Sequence, residues 1–185
     1  MDFDLETPLP ISPERLASLF DIESDHIPSS CTNYYSFRGK IVSLISHFSR
    51  NFDDPFLSYL AINYLDRFLS VQPISEEKKP WILKLVSVSC ISLAMKMRKT
   101  DCSISDIEHD GGIIFDWKSI ERMELLILDG LKWRMRSITP FSFINFFISF
   151  FKFKDFHSTN ALKARATQII IKAQHGNVTS TFIYF

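Results

Sequence analysis

Three charged side chains stand in apolar company. Asp66 lies in "YLAINYLDRFLSV" (59–71), Lys96 in "ISLAMKMRKTD" (91–101) and Glu124 in "IERMELLILDGLKW" (120–133). A carboxylate buried without a partner costs on the order of several kcal/mol, so it calls for a cation or several N–H donors. On a helix, Asp66 shares a face with Ile62 and Leu69, while Leu57, Leu60, Ala61, Tyr64 and Phe68 occupy the other. Arg38, near the start of the preceding helix, is a candidate cation; Arg67 is adjacent in sequence but turned by about 100°. The alternative places Asp66 at the helix surface. Glu124 falls between Ile120 and the pair Ile127/Leu128, whereas Glu121 is more easily solvated. Periodicity leaves Glu124 two readings, a packing edge or a face turned to a partner. Lys96 aligns with Ser89, Ser92 and Lys99, and spacing alone reads it as a solvated lysine. Arg98 and Lys99 suit a helix C-terminus, where the backbone dipole favours cations.

Nothing in the chain assembles bond-making chemistry. There is no Gly-rich phosphate loop, and His26, His47, His109, His157 and His175 are scattered. Cys31, Cys90 and Cys102 are widely spaced and odd in number, which supports neither a disulfide framework nor a zinc site. The expectation is therefore no catalytic residues, no metal and no cofactor, with an enzyme the least supported class.

The elements that must position the three charges are helical. Apolar residues at 37, 41, 44, 45 and 48 make a stripe over 37–50. Asp54-Pro55 supplies an N-cap and a first-turn proline for a helix over 55–71, which must stop before Pro73. A third helix spans 75–99, with Pro80 delaying or kinking its regular part; its middle, "LVSVSCISLAM", is apolar or small on every side and predicts a central helix. "SISDIEHD" (103–110) reads as a short helix, and Asp116 caps a long one over 116–133. After Thr139-Pro140, "PFSFINFFISFF" predicts a helix over 141–153, and "STNALKARATQIIIKAQ" another over 158–174. Only "TSTFIYF" (179–185) looks β-like. The class is all-α, with five helices before Pro140 and two after it.

At 185 residues the chain fits one domain or one and part of a second. Net charge is zero, so bulk charge offers no argument for nucleic acid or membrane. Charge is nonetheless uneven. Residues 1–30 hold seven acids and Arg15 alone, a net of −6, together with Pro8, Pro10, Pro13 and Pro28. That composition predicts a poorly ordered acidic leader. The apolar stretch 142–151 has ten residues, against the roughly 20 that a membrane span needs, and the N-terminus lacks the pattern of a secretory signal.

"YLAINYLDRFLSV" resembles the signature second helix of the cyclin box. "KPWILKLVSVSCISLAMKM" is similar to the third box helix, and "IERMELLILDGLKWRMRSITPFSFINFFISFF" to the fifth helix and the entry to a second box. "LKWRMR-x-TPFSF" resembles plant D-type cyclins, and "SRNFDDP" with "KMRK" their divergent sixth subgroup. The resemblance covers roughly residues 35–155. It implies a five-helix N-terminal cyclin box over 31–138, after the 1–30 leader, and a partial C-terminal box over 139–185. It further implies a regulatory subunit of a cyclin-dependent kinase acting in the G1/S control of cell division. Such a subunit holds the kinase's mobile helix in its active position and works in the nucleus, with the cytoplasm as a second compartment. Carried over residue by residue, Lys96 and Glu124 contact the kinase, Leu93, Met97 and Leu128 are apolar contacts beside them, and Arg38–Asp66 is a buried structural pair.

Four departures accompany the resemblance. Most cyclins carry two acids where this chain has Arg98 and Lys99, which implies an altered kinase-facing rim. The tryptophan of the usual substrate-docking patch is replaced by Leu44, or by Ser43 if the register shifts by one. No L-x-C-x-E occurs in the first 31 residues, so direct binding of a retinoblastoma-like protein is not supported. Finally, a complete second box is longer than the 45 residues after Pro140, which predicts a C-terminally truncated product. That product could bind a kinase without activating it. A general transcription-factor or adaptor domain on the same box is a third reading, lowered by the lack of a dense basic stripe.

Overall fold

The computed structural model describes residues 32–52, 54–72, 81–100, 115–136, 139–151 and 156–175. Their regular structure is entirely helical. Helix α1 spans Thr32–Phe48 and runs into a short 3-10 turn, Ser49–Asn51. Helix α2 spans Pro55–Val71, α3 Trp81–Arg98, α4 Trp117–Gly130, α5 Pro140–Ser149 and α6 Phe156–His175. The chain divides into two compact units, one over 28–135 holding α1–α4 and one holding α5 and α6. The acidic leader, the short helix over 103–110 and the β-like ending 179–185 all lie outside the described residues.

Helix ends follow local chemistry where a capping residue is present. Asp54 accepts from the Phe56 backbone N–H at 3.0 Å, and Pro55 takes the first helical position, where its missing N–H costs nothing. Asp116 caps α4 through the Ser119 N–H at 3.2 Å. Two C-termini close without glycine. Lys99 adopts φ 52°, and the Thr100 and Lys99 amides bond back to the carbonyls of Met95 and Lys96. Lys132 at φ 51° and Trp133 at φ 59° close α4 in the same way, onto Asp129 and Leu128. Each is a Schellman closure, in which a left-handed residue satisfies the last carbonyls. A side chain there costs roughly 1 kcal/mol relative to glycine. This closure ends α4 at Gly130, three residues earlier than the hydrophobic pattern suggests. In α1 the reverse holds: the helix begins at Thr32, ahead of the apolar stripe.

Helix α3 is the centre of the first unit and packs against α1, α2 and α4. Every residue from Leu85 to Met95 is buried. The serines belong to that interior, as a central helix requires: Ser87, Ser89 and Ser92 are at most 2% exposed. Ser87 donates to the Leu83 carbonyl, and Ser89 reaches the Ile120 carbonyl of α4 at 3.5 Å. Their small size lets neighbouring helices approach, and the Ser87 and Ser89 hydroxyls return bonds to backbone oxygens, which offsets the cost of burial. Around them Ile41 and Ile45 of α1, Leu60, Ala61, Tyr64 and Leu65 of α2, Ile91 and Ala94 of α3, and Ile127 of α4 are fully enclosed. Truncating any one of the larger aliphatics to alanine in such a core costs about 2–5 kcal/mol.

The second unit has its own packing of α5 against α6. Phe141, Phe143 and Ile144 are buried, whereas Phe147, Phe150 and Phe151 are exposed. Phe146 meets Phe147 and Phe150 edge to face, with ring centres 5.6 and 4.9 Å apart. Helix α5 ends at Ser149, short of the expected 153.

Candidate functional site

The helix bundle brings the charges singled out by sequence into two ion pairs of different character. Arg38 on α1 grips Asp66 on α2 with two parallel bonds, Nε to Oδ1 at 2.8 Å and Nη2 to Oδ2 at 3.0 Å. Both side chains are largely buried, at 11% and 17% exposure. Bidentate geometry satisfies both carboxylate oxygens and compensates their loss of water. This pair ties two helices together and faces inward.

The second pair joins the end of α3 to the middle of α4. Lys96 Nζ donates to Glu124 Oε2 at 2.6 Å, and the lysine side chain is 51% exposed against 6% for the glutamate. The glutamate is buried because α4 turns Ile120, Met123 and Ile127 toward the core, and Glu124 lies at the margin of that face. Its other oxygen, Oε1, is enclosed with no hydrogen-bond partner among the described residues. Lys96 also stands over the Trp117 ring, 5.7 Å from its centre. The ammonium has three N–H groups, and one goes to Glu124. The arrangement therefore presents a fixed, half-exposed cation in front of a buried carboxylate.

Of the apolar residues beside the pair, Leu93 is buried, and Met97 and Leu128 are half-buried. Met97 and Leu128 thus reach the surface next to Lys96 and Glu124, and Leu93 belongs mainly to the core.

Arg98, expected at the rim, is largely enclosed, with its side chain 16% exposed. It bonds through Nε to Asp54 Oδ2 and lies over the Phe56 ring at 5.5 Å from its centre. One carboxylate thereby caps α2 and anchors the end of α3. Lys99 is exposed and takes the left-handed position that closes α3.

Sequence reasoning missed two residues. Arg67 is buried and donates Nη2 to the Arg134 carbonyl at 2.6 Å, pinning the segment that follows α4. Burial lowers its guanidinium pKa, partly opposed by neighbouring Tyr64. Trp117, 57% exposed, had a legible signal: it precedes Glu124 by seven residues, two helical turns, which sets both on one face. Burial pushes the Tyr64 hydroxyl and the Cys90 thiol well above their usual pKa ranges, so neither ionises near neutral pH. Among the described residues no group of three His, Cys, Asp or Glu side chains could hold a metal ion, and no described helix is long and apolar enough to cross a membrane.

Residues 19–136 match the family described as "Cyclin, N-terminal domain". The chain belongs to the cyclin family. It is 48% identical over 171 residues to a putative cyclin-D6-1 of Arabidopsis thaliana, an overlap of 85% of this chain and 55% of the relative. It is 38% identical over 181 residues to cyclin-D6-1 of Oryza sativa subsp. japonica, covering 94% and 56%. Cyclin-D4-1 of Arabidopsis thaliana is 43% identical over 124 residues, covering 66% and 40%. The likeness is thus to plant D-type cyclins, and the chain spans about half the length of the curated relatives it matches. The helical bundle of α1–α4 falls within the matched segment.

Proposed function

We propose that this cyclin-family chain is a regulatory subunit that binds a cyclin-dependent kinase, with Lys96 and Glu124 at the centre of the contact and Met97, Leu128 and Leu93 beside them. The observation that supports it is the asymmetry of the Lys96–Glu124 pair. A lysine with spare N–H donors stands half in solvent, and its carboxylate partner is already desolvated and held by the helix core. Such a pair has already met part of the cost of leaving water, so an incoming backbone carbonyl or amide gains more from it than from a solvated pair. The reading also draws on the family match. The subunit works by differential binding to the kinase's active conformation; it has no active site of its own, and it serves G1/S progression, in the nucleus with a cytoplasmic pool.

The test is capture of purified cyclin-dependent kinases by the parent chain and by Lys96→Ala and Glu124→Ala. Each variant is expected to lose at least about tenfold in affinity while keeping the helical circular dichroism of the parent. Equal capture by all three would refute the assigned contact. Phosphorylation of a retinoblastoma fragment by the reconstituted complex separates activation from binding alone.

A further inference from the structure

We infer that Trp117 is a positioning residue of the kinase-binding face, holding Lys96 against Glu124 and setting which partners fit there. The inference rests on the kinase-binding reading and adds a residue to it. A tryptophan at the first position of a helix needs no exposure for folding, yet Trp117 is 57% exposed. Its ring sits below the Lys96 ammonium at 5.7 Å, while Glu124 holds the same ammonium at 2.6 Å. The cation therefore has an indole face on one side and a buried carboxylate on another. A half-exposed lysine is ordinarily one of the most mobile side chains. Two fixed contacts from a single helix, two turns apart, remove much of that freedom before any partner arrives, and binding then pays less to order it.

The indole also extends the contact surface. On α4, Glu124, Trp117, Leu128, Glu121 and Leu125 fall within an arc of about 100°. Trp117 and Leu125 are exposed, and Leu128 is half-buried. Together they form an apolar strip beside the ion pair, interrupted by one acid. A large aromatic beside a desolvated charge is the usual composition of an interface anchor. A partner complementary to this strip offers a backbone acceptor for Lys96 and a flat apolar or basic side chain for the indole.

The experiment uses the whole chain and the purified cyclin-dependent kinases of Arabidopsis thaliana, immobilised one at a time. Trp117→Ala is expected to weaken binding about tenfold, and Trp117→Tyr, which keeps an aromatic face, to stay within about threefold of the parent. In the free chain, the ring should shift the Lys96 ε-methylene proton resonance upfield, and Trp117→Ala should return it to the value of an unstructured lysine. A parent that binds a kinase and a Trp117→Ala variant that binds it equally well overturn the inference and leave the kinase reading standing. So does a Trp117→Tyr variant as weak as Trp117→Ala. An unshifted Lys96 resonance in the parent overturns the positioning role. A parent that captures none of the kinases overturns the functional reading and this inference with it.

Discussion

Arg38–Asp66 and Lys96–Glu124 are both pairs of one cation and one carboxylate, each 28 residues apart in sequence and each joining two helices. They differ in where the solvent is. In the first, both partners are enclosed and both oxygens are bonded. In the second, the carboxylate is enclosed with one oxygen unmatched among the described residues, and the lysine stands half in water. A pair that is complete can only hold the fold together. A pair that is incomplete still has bonding capacity to offer.

That contrast can be broken most forcefully at the first pair. Asp66→Ala removes the two bonds that the carboxylate accepts from a largely buried guanidinium, and breaking a buried ion pair by removing one partner costs about 3 kcal/mol or more. Urea unfolding should show that loss, and Arg38→Met combined with Asp66→Leu should recover a large part of it. A stability loss under about 1 kcal/mol for Asp66→Ala would mean that the pair is solvated.

The second pair should respond asymmetrically. Lys96→Met leaves Glu124 enclosed with neither oxygen bonded, at a cost of about 2 kcal/mol. Glu124→Gln removes the buried charge and returns Lys96 to water, at a cost of about 1 kcal/mol or less. Equal losses in urea unfolding would erase the distinction between a buried acid and an exposed base.

The third pair, Arg98–Asp54, should also respond unequally, with a small effect at Arg98. Arg98→Gln should cost about 0.5–1 kcal/mol, because Asp54 continues to cap α2. Asp54→Ala should cost more, about 1–2 kcal/mol, since it removes the cap and the anchor together. Thermal unfolding of the two variants orders them. If Arg98→Gln instead alters kinase capture without altering stability, Arg98 acts at the rim and its bond to Asp54 is incidental.

Much of this organisation was legible. The span of α2 follows from Asp54-Pro55 at its start and Pro73 beyond its end, and the centrality of α3 from a run with no polar side. The Arg38–Asp66 pair was reachable because a carboxylate between two apolar faces must find a cation, and few are within reach. The misjudged features share a cause. Lys96 reads as solvated from its alignment with Ser89 and Ser92 because a helical wheel counts hydroxyls as polar, whereas both serines are buried. The early end of α4 falls on Gly130, but the apolar pattern continues past it to Leu131 and Trp133, and the left-handed positions are taken by Lys132 and Trp133. Arg98 looked like a free cation because its partner lies 44 residues away on another helix.

By itself the sequence determined the helical class, the order of elements and the family, since periodicity, caps and ordered motifs are local properties of the chain. It also marked Asp66 and Glu124 as charges in need of explanation. Tertiary structure alone decided which of the resulting pairs is closed and which is open. Burial depends on what neighbouring helices cover: Glu124 sits at the margin of the core face of α4 and is 6% exposed, while Lys96 near the end of α3 keeps 51% exposure. The same packing set Trp117 under that lysine and turned Arg98 away to Asp54, distinctions that hydrophobic spacing along one helix does not contain.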